Sequence, residues 1–169
     1  MGDSSALRGL AAIPAVRRLI ELALDEDLGR GDVTSSITVG PDGREVVADM
    51  NAREPIVAFG IDVAAAVFAL VDPRIDIEVH APDGARVDRG GLLMTVRGHA
   101  HQVLAAERTA LNFVQRLSGV ATQARRYADA IAGTKAKVVD TRKRTRHVDD
   151  MDRNVGHARG SNHESALAR

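Results

Sequence analysis

The chain has 169 residues, 44% hydrophobic and 27% charged, with 23 basic and 23 acidic side chains and no cysteine. That length bounds it to one ordinary domain, or a small domain plus part of another. The balance is that of a globular chain, not a disordered one. Zero net charge removes any global attraction to nucleic acid or anionic lipid, so a basic site must be local. No disulfide or thiolate chemistry is available. Aromatics are only 2% of residues, so the core must be aliphatic.

Residues 1–12 are small and polar enough to fray. Pro14 suits a first helical turn, where its missing N–H costs nothing. Val16, Leu19, Ile20 and Ala23 follow at helical spacing, and the helix should stop before Gly29. Asp25 to Ser35 reads as an acidic, glycine-punctuated loop in which Asp32 or Thr34 could cap a turn.

Val46, Ala48 and Met50 alternate with polar partners and predict a strand; Ile56 to Phe59 predicts a shorter one. Val63, Val67 and Leu70 predict a helix ending near Pro73. Ile75, Ile77 and Val79 predict a half-buried strand, Pro82-Asp83-Gly84 a turn, and Leu92, Met94 and Val96 another strand. His80, His99 and His101 read as exposed strand or loop histidines. This order suggests helices against a mostly antiparallel sheet.

Beyond Gln102, Val103, Leu104, Leu111, Val114 and Leu117 describe a long helix ending at Ser118-Gly119. A second helix is expected from Ala121 to Ile131, stopped by Gly133. Ala136 to Val139 is a short β-prone run closing on Asp140-Thr141-Arg142-Lys143. A helix feeding a short strand with a polar end is how a parallel α/β unit begins, and ligands there sit beyond the strand's carboxyl end.

Two places carry candidate chemistry. Arg108 interrupts the stripe of Leu104 and Leu111. It is either a snorkelling side chain paired locally or a semi-buried clamp for a carboxylate, which a guanidinium holds through two parallel hydrogen bonds. Arg142 and Lys143, following Thr141, would project into the mouth of a sheet or barrel and bind carboxylate and phosphate. Alternatively they open a surface basic run with Arg144 and Arg146. Common nucleotide-binding, hydrolase and metalloprotease motifs are absent.

Three stretches resemble the quinolinate phosphoribosyltransferases. Glu26-Asp27-Leu28-Gly29-Arg30-Gly31-Asp32-Val33-Thr34-Ser35 is similar to the family's E-D-x-x-x-G-D-V-T-[ST] loop. Residues 106–122, AERTALNFVQRLSGVAT, resemble its A-E-R-T-x-L-N-x-x-x-x-L-S-G-I-A-T helix, and Asp140-Thr141-Arg142-Lys143 matches its D-T-R-K. The resemblance spans Val16 to Lys143 and implies an α/β fold. An α+β sandwich (1–105) would precede the first helix–strand elements of an incomplete α/β barrel (106–143). The implied activity joins quinolinate to phosphoribosyl pyrophosphate, giving nicotinate mononucleotide, pyrophosphate and carbon dioxide. By resemblance, Arg108 binds a quinolinate carboxylate in the partner subunit's site of a homodimer. Arg142, beside Thr141, holds the other side of the dicarboxylate, and Lys143 faces the phosphoribosyl substrate. Mg²⁺ is expected with that substrate, its ligands lying outside the matched part.

After Lys143 the likeness stops. The family continues with T-T-P-G, G-G-G-x-x-N-H-R and K-D-N-H; here Glu164 follows Asn162-His163 where an arginine is expected. Residues 144–169 hold Val148, Met151, Val155 and Leu167 as their only large apolar side chains. They are expected to form a poorly ordered, divergent tail produced by a frame change or mistaken gene boundary, leaving Val138, Val139 and the helix before them uncovered. His147, Asp149, His157 and His163 match no compact metal pattern. Other readings are a related paralogue associated with molybdenum transport, and a non-catalytic remnant that dimerises or binds RNA. With no signal-peptide pattern and no apolar run near the ~20 residues that span a bilayer, a cytoplasmic protein bound to neither membrane nor nucleic acid is expected.

Overall fold

A computed structural model of the chain describes residues 9–29 and 44–139. A 3₁₀ turn at Gly9–Ala12 leads into helix α1 (Pro14–Leu28). Leu10 and Ala11 are buried, so this part of the N-terminus does not fray as expected: its small apolar residues contribute to the core. Pro14 stands in the first turn of α1, and Val16, Ile20 and Leu24 form its buried face. The helix continues through Leu28, drawing Asp25, Glu26 and Asp27 out of the expected loop into its last turn. Asp32 and Thr34 lie outside the described residues.

Strand β1 (Glu45–Asn51) is followed by the two-residue strand β2 (Ile56–Val57), helix α2 (Ile61–Val71) and strand β3 (Asp76–Val79). The two-residue strand β4 (Arg86–Val87), which alternation does not reveal, leads to β5 (Leu92–His99) and to helix α3 (Ala100–Ala130). β5 lies between β1 and β3, antiparallel to both; β2 and β4 form a separate antiparallel pair. The mixed α/β class and antiparallel sheet agree with the sequence reading. Asp49, Thr95 and Glu78 align across three strands, as do Val47, Arg97 and Asp76. On this polar face the Thr95 hydroxyl donates to Asp49 Oδ1 at 2.7 Å and lies 2.9 Å from His80 Nε2. Since its one proton goes to Asp49, Thr95 accepts from His80, which fixes the imidazole as the Nε2–H form. His80 therefore ties a sheet edge together.

α3 is one helix, not the two expected on either side of Ser118-Gly119. Its buried residues, Val103, Ala106, Ala110, Val114, Leu117 and Ala121, keep a single helical stripe through that point. Ser118 is buried and its hydroxyl is satisfied outside the helix: it accepts from the Phe59 N–H at 3.0 Å and donates to the Phe59 carbonyl at 3.1 Å. Thr122 Oγ1 accepts from the Val57 N–H at 2.9 Å, one turn further on. Tertiary bonds thus override the weak helix preference of a Ser-Gly pair. The face of α3 expected to be uncovered is mostly buried, although Leu104 is 43% exposed.

Gly60 begins α2 with φ of 83°, and a Cβ there would lie 2.5 Å from Leu117 Cδ1. Only glycine accommodates both the left-handed conformation and the close helix. The Ile61 N–H donates to Asp83 Oδ1 at 2.8 Å, so the Pro82-Asp83-Gly84 turn caps α2 from a distance. The largest fully buried side chains, Ile20, Ile61, Met94, Val63 and Val67, come from both helical and sheet layers. The expected boundary at 105/106 falls inside α3. Residues 136–139 form no strand, and Val138 and Val139 are 51% and 79% exposed; no described strand lies beside them to pair.

Candidate substrate-binding site

α1 from Leu19 onward and the middle of α3 line an open pocket of about 400 Å³. Its apolar lining is Leu19, Ala23, Phe113 and Leu117; its polar lining is Glu26, Asp27, Arg108, Thr109, Asn112 and Arg116. Residues four apart share a helix face. Arg108, Asn112 and Arg116 therefore form one row along α3, and Thr109, Phe113 and Leu117 the adjacent row.

Arg108 is exposed (78% of its side chain), not semi-buried as expected. The stripe buried by α3 runs through Val103, Ala106 and Ala110, rotated away from Leu104. Arg108 Nη1 donates to Asp27 Oδ1 at 3.3 Å, and the Thr109 hydroxyl donates to Asp27 Oδ2 at 3.3 Å. The local pairing foreseen for Arg108 therefore exists, across 81 positions of sequence. It occupies one guanidinium nitrogen and leaves the remaining donors for a ligand. Arg116 has no acidic partner among the described residues.

Thr141, Arg142 and Lys143 lie outside the described residues, as does the whole 144–169 tail with His147, Asp149, His157 and His163. The described structure therefore brings together one expected site residue, Arg108, with two that sequence reasoning did not assign to a site. Asp27 had a faint signal, an acidic residue at the end of a helix where the dipole disfavours it. Arg116 could have been found from its spacing of two helical turns beyond Arg108. Among the described residues, no group of three or more His, Asp or Glu could hold a metal ion. No described helix is long and apolar enough to cross a membrane.

Comparison with known proteins identifies the family. Residues 32–118 match the family model "Quinolinate phosphoribosyl transferase, N-terminal domain". Nicotinate-nucleotide pyrophosphorylase [carboxylating] of Mycobacterium leprae is 46% identical over 134 residues, 76% of this chain and 46% of that protein. Quinolinate phosphoribosyltransferase [decarboxylating] 2, mitochondrial, of Nicotiana glauca is 40% identical over 129 residues, 76% of this chain and 36% of that protein. The chain thus spans less than half the length of these relatives. The solved nicotinate-nucleotide pyrophosphorylase of Francisella tularensis superposes with a TM-score of 0.77 at 30% identity, covering 84% of this chain and 51% of that one. That of Ehrlichia chaffeensis gives 0.76 at 33%, covering 82% and 50%. With just over half of its residues matching the family model, the chain belongs to the quinolinate phosphoribosyl transferase family, of which it carries the N-terminal domain.

Proposed function

We propose that this chain serves the joining of quinolinate to phosphoribosyl pyrophosphate, with release of pyrophosphate and carbon dioxide, in the synthesis of nicotinate mononucleotide for NAD. The observation that carries the reading is Arg108: an exposed guanidinium on the cavity wall, held at one nitrogen, within the helix that resembles the family's longest motif. Its free donors suit a carboxylate fork. Residues 1–105 would supply the sandwich, 106–143 the entry to a barrel, and 144–169 a divergent tail. In a homodimer, Arg108 would reach the partner's site while Thr141, Arg142 and Lys143 take the rest of the dicarboxylate and the phosphoribosyl group. Mg²⁺ would accompany the pyrophosphate, held by groups other than the described residues. A cytoplasmic setting is consistent with this chemistry. Converging cations would stabilise the leaving pyrophosphate, the kind of electrostatic contribution that dominates such reactions. The names of the curated relatives and of the solved neighbours favour this reading over the transport-associated paralogue.

The test is equilibrium dialysis of the chain with quinolinate and with nicotinate, which lacks one carboxylate. Quinolinate is expected to bind about tenfold more tightly, the worth of one charge-assisted carboxylate contact. Arg108→Lys should weaken it despite keeping the charge, because the fork is lost. Equal binding of both ligands, unchanged by Arg108→Lys, would overturn the reading.

A further inference from the structure

We propose that Asp27 is the positioning residue for Arg108: it fixes one corner of the guanidinium so that the opposite edge meets the ligand carboxylate. The inference rests on the reading above, in which Arg108 takes a carboxylate of a planar aromatic dicarboxylate.

The two partners differ in exposure. The Asp27 side chain is 21% exposed and the Arg108 side chain 78% exposed, so the carboxylate is the anchored member and the guanidinium the presented one. Asp27 is held at both oxygens. Oδ2 accepts from the hydroxyl of Thr109, a buried residue, while Oδ1 takes Arg108 Nη1. With Nη1 engaged, the Nε–Nη2 edge remains, and that pair of parallel donors is one that a carboxylate chelates. A free arginine would sample many rotamers and pay their entropy on binding; a tethered one has lost part of that freedom beforehand.

The helix end itself gives Asp27 no stabilisation. The last turn of α1 carries Asp25, Glu26 and Asp27 and no basic residue, against the negative end of the helix dipole. Asp25 and Glu26 are exposed, whereas Asp27 turns towards α3. An exposed single-point ion pair contributes little to folding. Its geometry accounts for the residue better than its energy does.

The experiment uses the whole chain, with Asp27→Ala, Asp27→Glu, Thr109→Val and Arg108→Lys. Two quantities are read: the rate of Arg108 modification by phenylglyoxal, followed by peptide mass, and quinolinate affinity by dialysis. Asp27→Ala should speed modification a few-fold, the protection an exposed pair confers. It should weaken quinolinate about tenfold, the scale of one charge-assisted hydrogen bond. Asp27→Glu should restore part of both, and Thr109→Val, which loses only the Oδ2 tether, should shift both in the same direction by less. A merely structural Asp27 would lower the melting temperature and leave both readouts where they were in the folded protein. If Arg108→Lys weakens quinolinate while Asp27→Ala and Thr109→Val do not, the positioning role is overturned and the functional reading survives. If the unaltered chain does not bind quinolinate, both fall together.

Discussion

One buried hydroxyl, that of Ser118, satisfies both backbone groups of Phe59 and so fastens α3 to the segment between β2 and α2. Ser118→Ala would strand a buried donor and a buried acceptor, a loss of about 1–3 kcal/mol. Urea unfolding should show a lower midpoint at unchanged slope; an unmoved midpoint would mean that Phe59 finds other partners. The site was legible at the same scale only in part. Arg108 stood out because it broke an apolar pattern, but Leu104 and Leu111 suggested the wrong buried face. The residues that α3 buries beside it are Ala105, Ala106, Thr109 and Ala110, too small or too polar to register as a hydrophobic stripe. Asp27 could not be paired with Arg108 from sequence, because nothing local links residues 81 positions apart.

Elements were legible where periodicity was strong. Alternation located β1, β3 and β5, and helical spacing located α1 and α2 to within a turn. Register was not legible, since the irregularity between Met50 and Asn51 depends on cross-strand geometry. β4 is two residues long and too short to show a period. The false break in α3 came from reading Ser118-Gly119 by propensity alone. Gly119 is exposed, and a Cβ built on it meets nothing within 4 Å among the described residues. Gly119→Ala should therefore stabilise the chain by roughly 0.5–1 kcal/mol through helix propensity, seen as a rise in melting temperature. A fall instead would show that something packs against that face of α3, most directly a second copy or another part of the chain.

At the scale of the whole molecule, two aspartates at opposite ends of α2 contribute to the pH dependence of stability in neighbouring windows. Asp72, just after α2, accepts from the Arg74 side chain and then from its backbone N–H, and these bonds lower its pKa from 3.8 to about 2. Its folded pKa lies below the unfolded one, so its stabilisation is present above 3.8 and lost as pH falls towards 2. Asp83, at the start of α2, is raised by burial, with the Ile61 and Gly60 N–H groups opposing the shift. Its folded pKa lies above 3.8. Its contribution is therefore fully present below the unfolded value and lost as pH rises through the folded one. Moving down from neutrality, Asp83 should first add stability and Asp72 should then remove it. Urea midpoints measured across this range separate the two. The difference between Asp83→Asn and the unaltered chain should change only above 3.8, because asparagine keeps an acceptor for Ile61 without the buried charge. The difference for Asp72→Asn should change only below 3.8, flattening the acid limb. If both variants ran parallel to the unaltered chain at every pH, neither carboxylate would be linked to folding as its surroundings require.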